Sequence, residues 1–129
     1  MASTRENSPM LATERLLEIE EKFGSEVRSI VPIELDGETL RFILYLKDGT
    51  NLRVTEQWHG STLGRYSYYW LTSAGELKIG WDNAPHHTHL KCFPHHKHIG
   101  RKDNLHDSLE VCLEDVMATI LPSGQNDER

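Results

Sequence analysis

Six of the eight histidines of this 129-residue chain stand at positions 86, 87, 89, 95, 96 and 98. Two Pro-His-His triplets, Pro85-His86-His87 and Pro94-His95-His96, begin nine positions apart, and Lys97-His98 follows the second. Imidazole exchanges protons near neutral pH, so paired histidines can take one proton and give another within a single reaction. A proline ahead of each pair stiffens the backbone and lowers the entropic cost of holding the rings in place. Where the chain is extended, His87 and His89 share one side, as do His96 and His98, while His86 and His95 point elsewhere. Such a set suits a metal-free phosphodiester site. One imidazole would take the proton of a ribose 2′-hydroxyl, the other would protonate the leaving oxygen, and Lys91 or Lys97 would stabilise charge on the phosphoryl oxygens. The catalytic candidates are therefore His86, His87, His95, His96 and His98, with Asp82 to orient one ring through a hydrogen bond. Asn83 is placed to position substrate or to cap the loop. Tyr69 can stack a base from the polar face of a strand, and Arg101 joins the candidate substrate contacts.

Other chemistries fit the same residues. His87, His96, His98 and Asp82 are ordinary ligands for a divalent transition metal. Their spacing is neither HExxH nor that of a zinc finger. The local charge also opposes a bound cation: positions 78–102 hold Lys78, Lys91, Lys97, Arg101 and Lys102 against Asp82, or +4, which leaves −10 for the rest of a chain of formal net charge −6. A non-catalytic binding module, with the basic stretch on an acidic partner or a nucleotide, is a third reading, and histidines that merely pack a loop are a fourth. The acidic total argues against a protein that coats nucleic acid indiscriminately.

The elements around the motif can be read from periodicity. A chain that is 37% hydrophobic is expected to form one domain, with an ordered core of about 8–122. Ser8 reads as an N-cap and Pro9 as a first helical residue. Ala12, Leu16, Ile19 and Phe23 then recur at helical spacing, with Glu14, Arg15, Glu18 and Glu21 on other faces, and Gly24 stops the helix. Strands are expected over 27–35, 40–47, 51–58, 66–71 and 77–81. Asp36-Gly37 and Asp48-Gly49 form the tight turns, and Pro32 marks an edge or a bulge. Tyr66, Tyr68 and Trp70 fall on one face, with Tyr69 on the other. Lys78, Gly80 and Asp82 oppose Leu77, Ile79 and Trp81, so Asp82 should emerge on the polar side of the sheet. The histidine stretch reads as a loop, because Pro85 and Pro94 exclude a continuous helix. Asp107 and Glu110 resemble a capping box ahead of an apolar stripe of Leu109, Cys112, Leu113, Val116 and Ile120, ended by Pro122. The expected fold is α+β: an antiparallel meander of about five strands, with an N-terminal and a C-terminal helix packed on one face. An edge at the Pro32 strand offers a surface for a homodimer.

No apolar run approaches the ~20 residues of a membrane span, and the polar N-terminus has no secretory h-region. Cys92 and Cys112 lie outside any CxxC pair, so a reduced, cytoplasmic setting is expected.

Three segments carry a resemblance. Tyr66-Ser67-Tyr68-Tyr69-Trp70, then Trp81-Asp82-Asn83-Ala84-Pro85-His86-His87, then Phe93-Pro94-His95-His96-Lys97-His98 are similar to the TumE family of bacterial toxin–antitoxin toxins. DNAPHH and FPHHKH together are specific, and the resemblance covers about 27–120. It implies a small toxin encoded beside an antitoxin with a helix-turn-helix DNA-binding domain, which binds and neutralises it. The resemblance names no target. Ribonuclease activity, with RNA as substrate, is expected from the histidines.

Overall fold

The computed structural model describes residues 9–85 and 89–121. Its elements are α1 (Ala12–Phe23), β1 (Ser29–Asp36), β2 (Thr39–Tyr45), β3 (Asn51–His59), β4 (Thr62–Leu71), β5 (Leu77–Asp82), β6 (His96–Ile99), β7 (Leu105–Asp107) and α2 (Leu113–Ile120). The strands form one antiparallel sheet in the order β1-β2-β3-β4-β5-β6-β7. The fold class is thus the expected α+β meander, with seven strands where five were expected. The Asp-Gly turns work because Gly37 and Gly49 adopt positive φ, of 61° and 93°, which residues with a Cβ rarely tolerate. Pro32 sits in the edge strand, and the β1–β2 register shifts between Pro32 and Glu34, so the edge and the bulge are both present.

Alternation divides the sheet into two faces. Leu40, Phe42 and Leu44 of β2, Leu52 and Val54 of β3, Tyr66 and Tyr68 of β4, and Trp81 of β5 share a core with Leu16 and Ile19 of α1 and Leu113, Val116 and Met117 of α2. Full burial of such side chains contributes roughly 1.5–3 kcal/mol each. Both helices therefore cover one face. On the other, Arg41, Thr55, Ser67, Asp82, His96 and Asp107 stand in one cross-strand row. Ile43, Arg53, Tyr69, Gly80, His98 and Leu105 stand in the next.

Four expectations about the helices are corrected. Ser8 lies outside the described residues, and Pro9 is not helical. The first helix begins at Ala12 behind Leu11, whose preceding residue Met10 ties its N–H to the Gly60 carbonyl at 2.8 Å. Arg15, expected on a polar face, is only 2% exposed. Its guanidinium donates twice to Glu56 of β3, at 2.8 and 3.0 Å, and also to Glu18 and Glu114. The second helix begins at Leu113, not near Asp107. Asp107 ends β7, and its Oδ1 accepts from the Cys92 N–H at 3.1 Å. Glu110 accepts from the Trp81 indole at 3.1 Å. The helix start is marked instead by Asp115, which reaches back to the Val111 N–H at 3.0 Å. Leu109, expected in the apolar stripe, is 82% exposed, and Cys112 is the half-buried residue preceding the helix.

Candidate active site

The second half of the histidine stretch is a strand, and this fixes its side chains. β6 pairs with β5 so that His96 stands opposite Asp82 and His98 opposite Gly80. His96 and His98 therefore share the outer face, as extended alternation requires. Their rings meet edge to face, with centroids 5.1 Å apart. His96 Nε2 lies 2.8 Å from Asp82 Oδ1, and His98 Nε2 lies 3.4 Å from Asp82 Oδ2. The opposite nitrogens are held by the backbone: His96 Nδ1 is 3.0 Å from the Pro94 carbonyl and His98 Nδ1 is 2.7 Å from the Lys102 carbonyl. A carbonyl can only accept, so both Nδ1 atoms carry protons. Both Nε2 atoms face one carboxylate, and contacts this short need a proton or a cation between nitrogen and oxygen.

Two further groups orient that carboxylate. The Ala84 N–H donates to Oδ1 at 3.0 Å, and the Tyr69 hydroxyl donates to Oδ2 at 3.3 Å. Burial, with the Asp82 charge behind it, pushes the Tyr69 phenol above its ordinary range, so it stays a donor. The Tyr69 ring occupies the space above Gly80, where an added Cβ would lie 2.3 Å from Cδ1. The centre is sheltered on its β6 side: His96 is 2% exposed and Asp82 8%. Ser67, the cross-strand neighbour of Asp82, lines a groove of about 400 Å³ together with Thr55, Arg41, Arg65 and Glu34, among others.

The remaining candidates fall into four groups. His86 and His87 lie outside the described residues. His95 turns to the other side of the strand, where its Nδ1 is 2.8 Å from the Tyr66 hydroxyl and its ring stacks on Tyr66. Burial first, and the nearby His96 second, press its imidazole below the ordinary value. Asn83 takes the loop-capping role: its Oδ1 accepts from the Tyr66 N–H at 2.9 Å and its Nδ2 donates to the Gly64 carbonyl at 2.6 Å. Three of the cations are held by other partners. Lys97 turns toward the helices and donates to Glu110 at 3.3 Å, Arg101 pairs with Asp103 at 3.2 Å, and Lys78 lies over the Trp70 ring. Lys91 is exposed. Three of the five cations of the linear +4 patch are thus engaged by other groups, which weakens the charge argument against a cation at this carboxylate.

Sequence reasoning did not find the support for the centre: the Pro94 and Lys102 carbonyls, and the Tyr69 hydroxyl as a partner of Asp82. The period-two placement of Tyr69 and Asp82 on one face was the available signal.

A meander with both helices on one face and an Asp-His-His centre set into the other defines a small α+β protein. The chain belongs to the TumE toxin family, whose family model, described as Toxin TumE, matches residues 13–122. No curated protein and no solved structure matches it. Membership of a toxin family implies a cognate antitoxin.

Proposed function

We propose that this protein is the toxin of a toxin–antitoxin pair, that it acts in the cytoplasm of the cell that makes it, and that it cleaves RNA at the Asp82–His96–His98 centre. The observation that carries the reading is the convergence of two imidazole Nε2 atoms on one sheltered carboxylate, beside a groove with Arg41 and Arg65 in its lining. A guanidinium offers planar, paired donors to phosphate oxygens. An RNA strand laid across β2–β4 would bring a phosphodiester to the centre. There the 2′-hydroxyl loses its proton and attacks phosphorus, and the 5′-oxygen leaves with a proton, giving a cyclic phosphate and a free 5′-hydroxyl. The partner that silences it is a helix-turn-helix antitoxin encoded beside it.

Induced expression, followed by inspection of total RNA, tests the reading. Growth should stop and RNA should be cut when the wild-type chain is made without its antitoxin. Asp82→Asn, His96→Ala and His98→Ala should each restore growth at equal protein level. Intact RNA in arrested cells would remove the ribonuclease reading.

A further inference from the structure

The structure points to a metal centre: we infer that Asp82, His96 and His98 hold one divalent first-row transition ion, such as zinc. This inference concerns the same centre as the ribonuclease reading and rests on that reading only for what the ion would do.

The donors come first. The three residues each offer one ligand atom, and these atoms all lie within 4.8 Å of one another. For bonds of about 2.1 Å, neighbouring ligand atoms sit about 3.0 Å apart at right angles and about 3.4 Å apart at the tetrahedral angle. His96 Nε2 lies 2.8 Å from Oδ1 and His98 Nε2 3.4 Å from Oδ2 of the same carboxylate, so each separation, to its own oxygen, is on the scale of a coordination edge. Two imidazoles and one carboxylate select a transition ion over magnesium or calcium, which prefer oxygen donors throughout. Three protein ligands also leave room for water or substrate on the ion, as catalytic sites do.

The surroundings supply an independent observation. A histidine ligand usually donates its second ring N–H to a backbone carbonyl or a carboxylate, which fixes the coordinating tautomer. Both histidines do this, His96 to Pro94 and His98 to Lys102. The carboxylate is itself oriented by the Tyr69 hydroxyl and the Ala84 N–H. All three ligands lie on two paired strands, so their spacing is set by sheet geometry. An ion here would neutralise a sheltered carboxylate and polarise a phosphoryl oxygen or a bound water.

The test uses the full chain without a polyhistidine tag, stripped with a chelator and then titrated with Zn2+ by calorimetry and with Co2+ by absorption spectroscopy. One ion per chain is expected, with a cobalt spectrum showing nitrogen and oxygen ligands and a rise in Tm on zinc addition. His98→Gln, at the most exposed of the three ligands, should weaken binding at least ~10-fold, with Asp82→Asn as a second ligand variant. Tyr69→Phe should weaken it by up to ~10-fold. His106→Ala, at an exposed histidine bonded to Asn104, should change nothing. Circular dichroism of each variant separates lost ligands from lost fold. No binding by the folded wild-type chain, or equal binding by folded His98→Gln and Asp82→Asn, overturns the inference. Full RNA cleavage by the chelator-stripped protein would overturn the ion's catalytic role and favour proton transfer by the two imidazoles alone. Stoichiometric binding with no RNA cleavage would keep the metal centre and remove the ribonuclease reading.

Discussion

At residue scale, the centre depends on what Gly80 lacks. Its hydrogen lets the Tyr69 ring lie flat across β5, where a Cβ would come within 2.4 Å of both Cδ1 and Cε1. The ring's position in turn sets the 3.3 Å bond from its hydroxyl to Asp82. Gly80→Ala should therefore displace the ring, destabilise the protein by about 1–3 kcal/mol and lower activity. Adding Tyr69→Ala should relieve most of the destabilisation but none of the activity loss. Chemical denaturation of the two single variants and the double variant measures the coupling. A purely additive double variant would mean that the ring and the glycine do not oppose each other. Parts of this arrangement are legible in the sequence. Period-two alternation places Asp82 on the polar face, keeps His96 with His98 and sends His95 away. Alternation says nothing about which backbone carbonyls receive the ring nitrogens, because the Lys102 carbonyl reaches His98 only through the turn after β6. It also cannot show where long side chains end. Lys97 reads as a phosphate ligand by proximity in sequence, yet β6 points it toward Glu110.

At the scale of elements, the helices are attached to the sheet by more than apolar contact. Arg15 of α1 joins Glu56 of β3 and Glu114 of α2, and Glu56 also accepts from the Tyr68 hydroxyl at 2.7 Å and the Trp58 indole at 2.9 Å. Arg15→Met removes the cation but leaves Glu56 at 0% exposure, and a broken buried pair costs about 3–5 kcal/mol. The double variant Arg15→Met, Glu56→Leu should recover part of that loss in thermal melts. Glu114 makes the network sensitive to acid. Burial alone would raise its carboxyl, but the hydrogen bonds from Arg15 and Lys22 outweigh it and hold the group down to about 2, from an ordinary 4.5. The stabilisation is complete above the unfolded value and fades as pH falls from about 4.5 toward 2. Tm should drop over that window, and Glu114→Gln should flatten the drop while lowering Tm at pH 7. The network is invisible to helical periodicity, which assigns Arg15 to solvent together with Glu14, although Glu18 is itself a partner of the buried guanidinium. The meander through β5 was readable, since β2 to β5 alternate in sequence, β1 is rich in β-branched residues and each turn carries glycine. β6 and β7 were not, because strands of four and three residues built from His, Lys, Ile, Leu and Asp have no apolar rhythm. They are strands only because β5 supplies an edge to pair with.

At the scale of the whole molecule, charge is sorted by face. The chain carries −6 overall, and α1 exposes Glu14, Glu20 and Glu21 on the helical side. The open side of the sheet carries exposed Arg41, Arg53 and Arg65, with Glu34 3.8 Å from Arg41. A polyanion arriving from a distance meets net repulsion, which salt screens within about 10 Å at 0.1 M. A strand already on the sheet meets arginines, and its counterions are released in the usual proportion to phosphates contacted. These two effects oppose each other as salt rises, and the contact term should win because it acts at hydrogen-bond range. Three arginines on phosphates give a log–log slope of binding against salt of about −2 for a single strand. Arg65→Glu should reduce the magnitude of that slope by about 0.7 or more, because one contact is lost and one repulsion added, and it should leave Tm nearly unchanged, since the side chain is exposed. The measurement is fluorescence anisotropy of a short labelled RNA across a series of KCl concentrations, in an Asp82→Asn background so that the strand survives. A slope near zero, or one that Arg65→Glu does not move, would put the RNA somewhere other than the open face of the sheet.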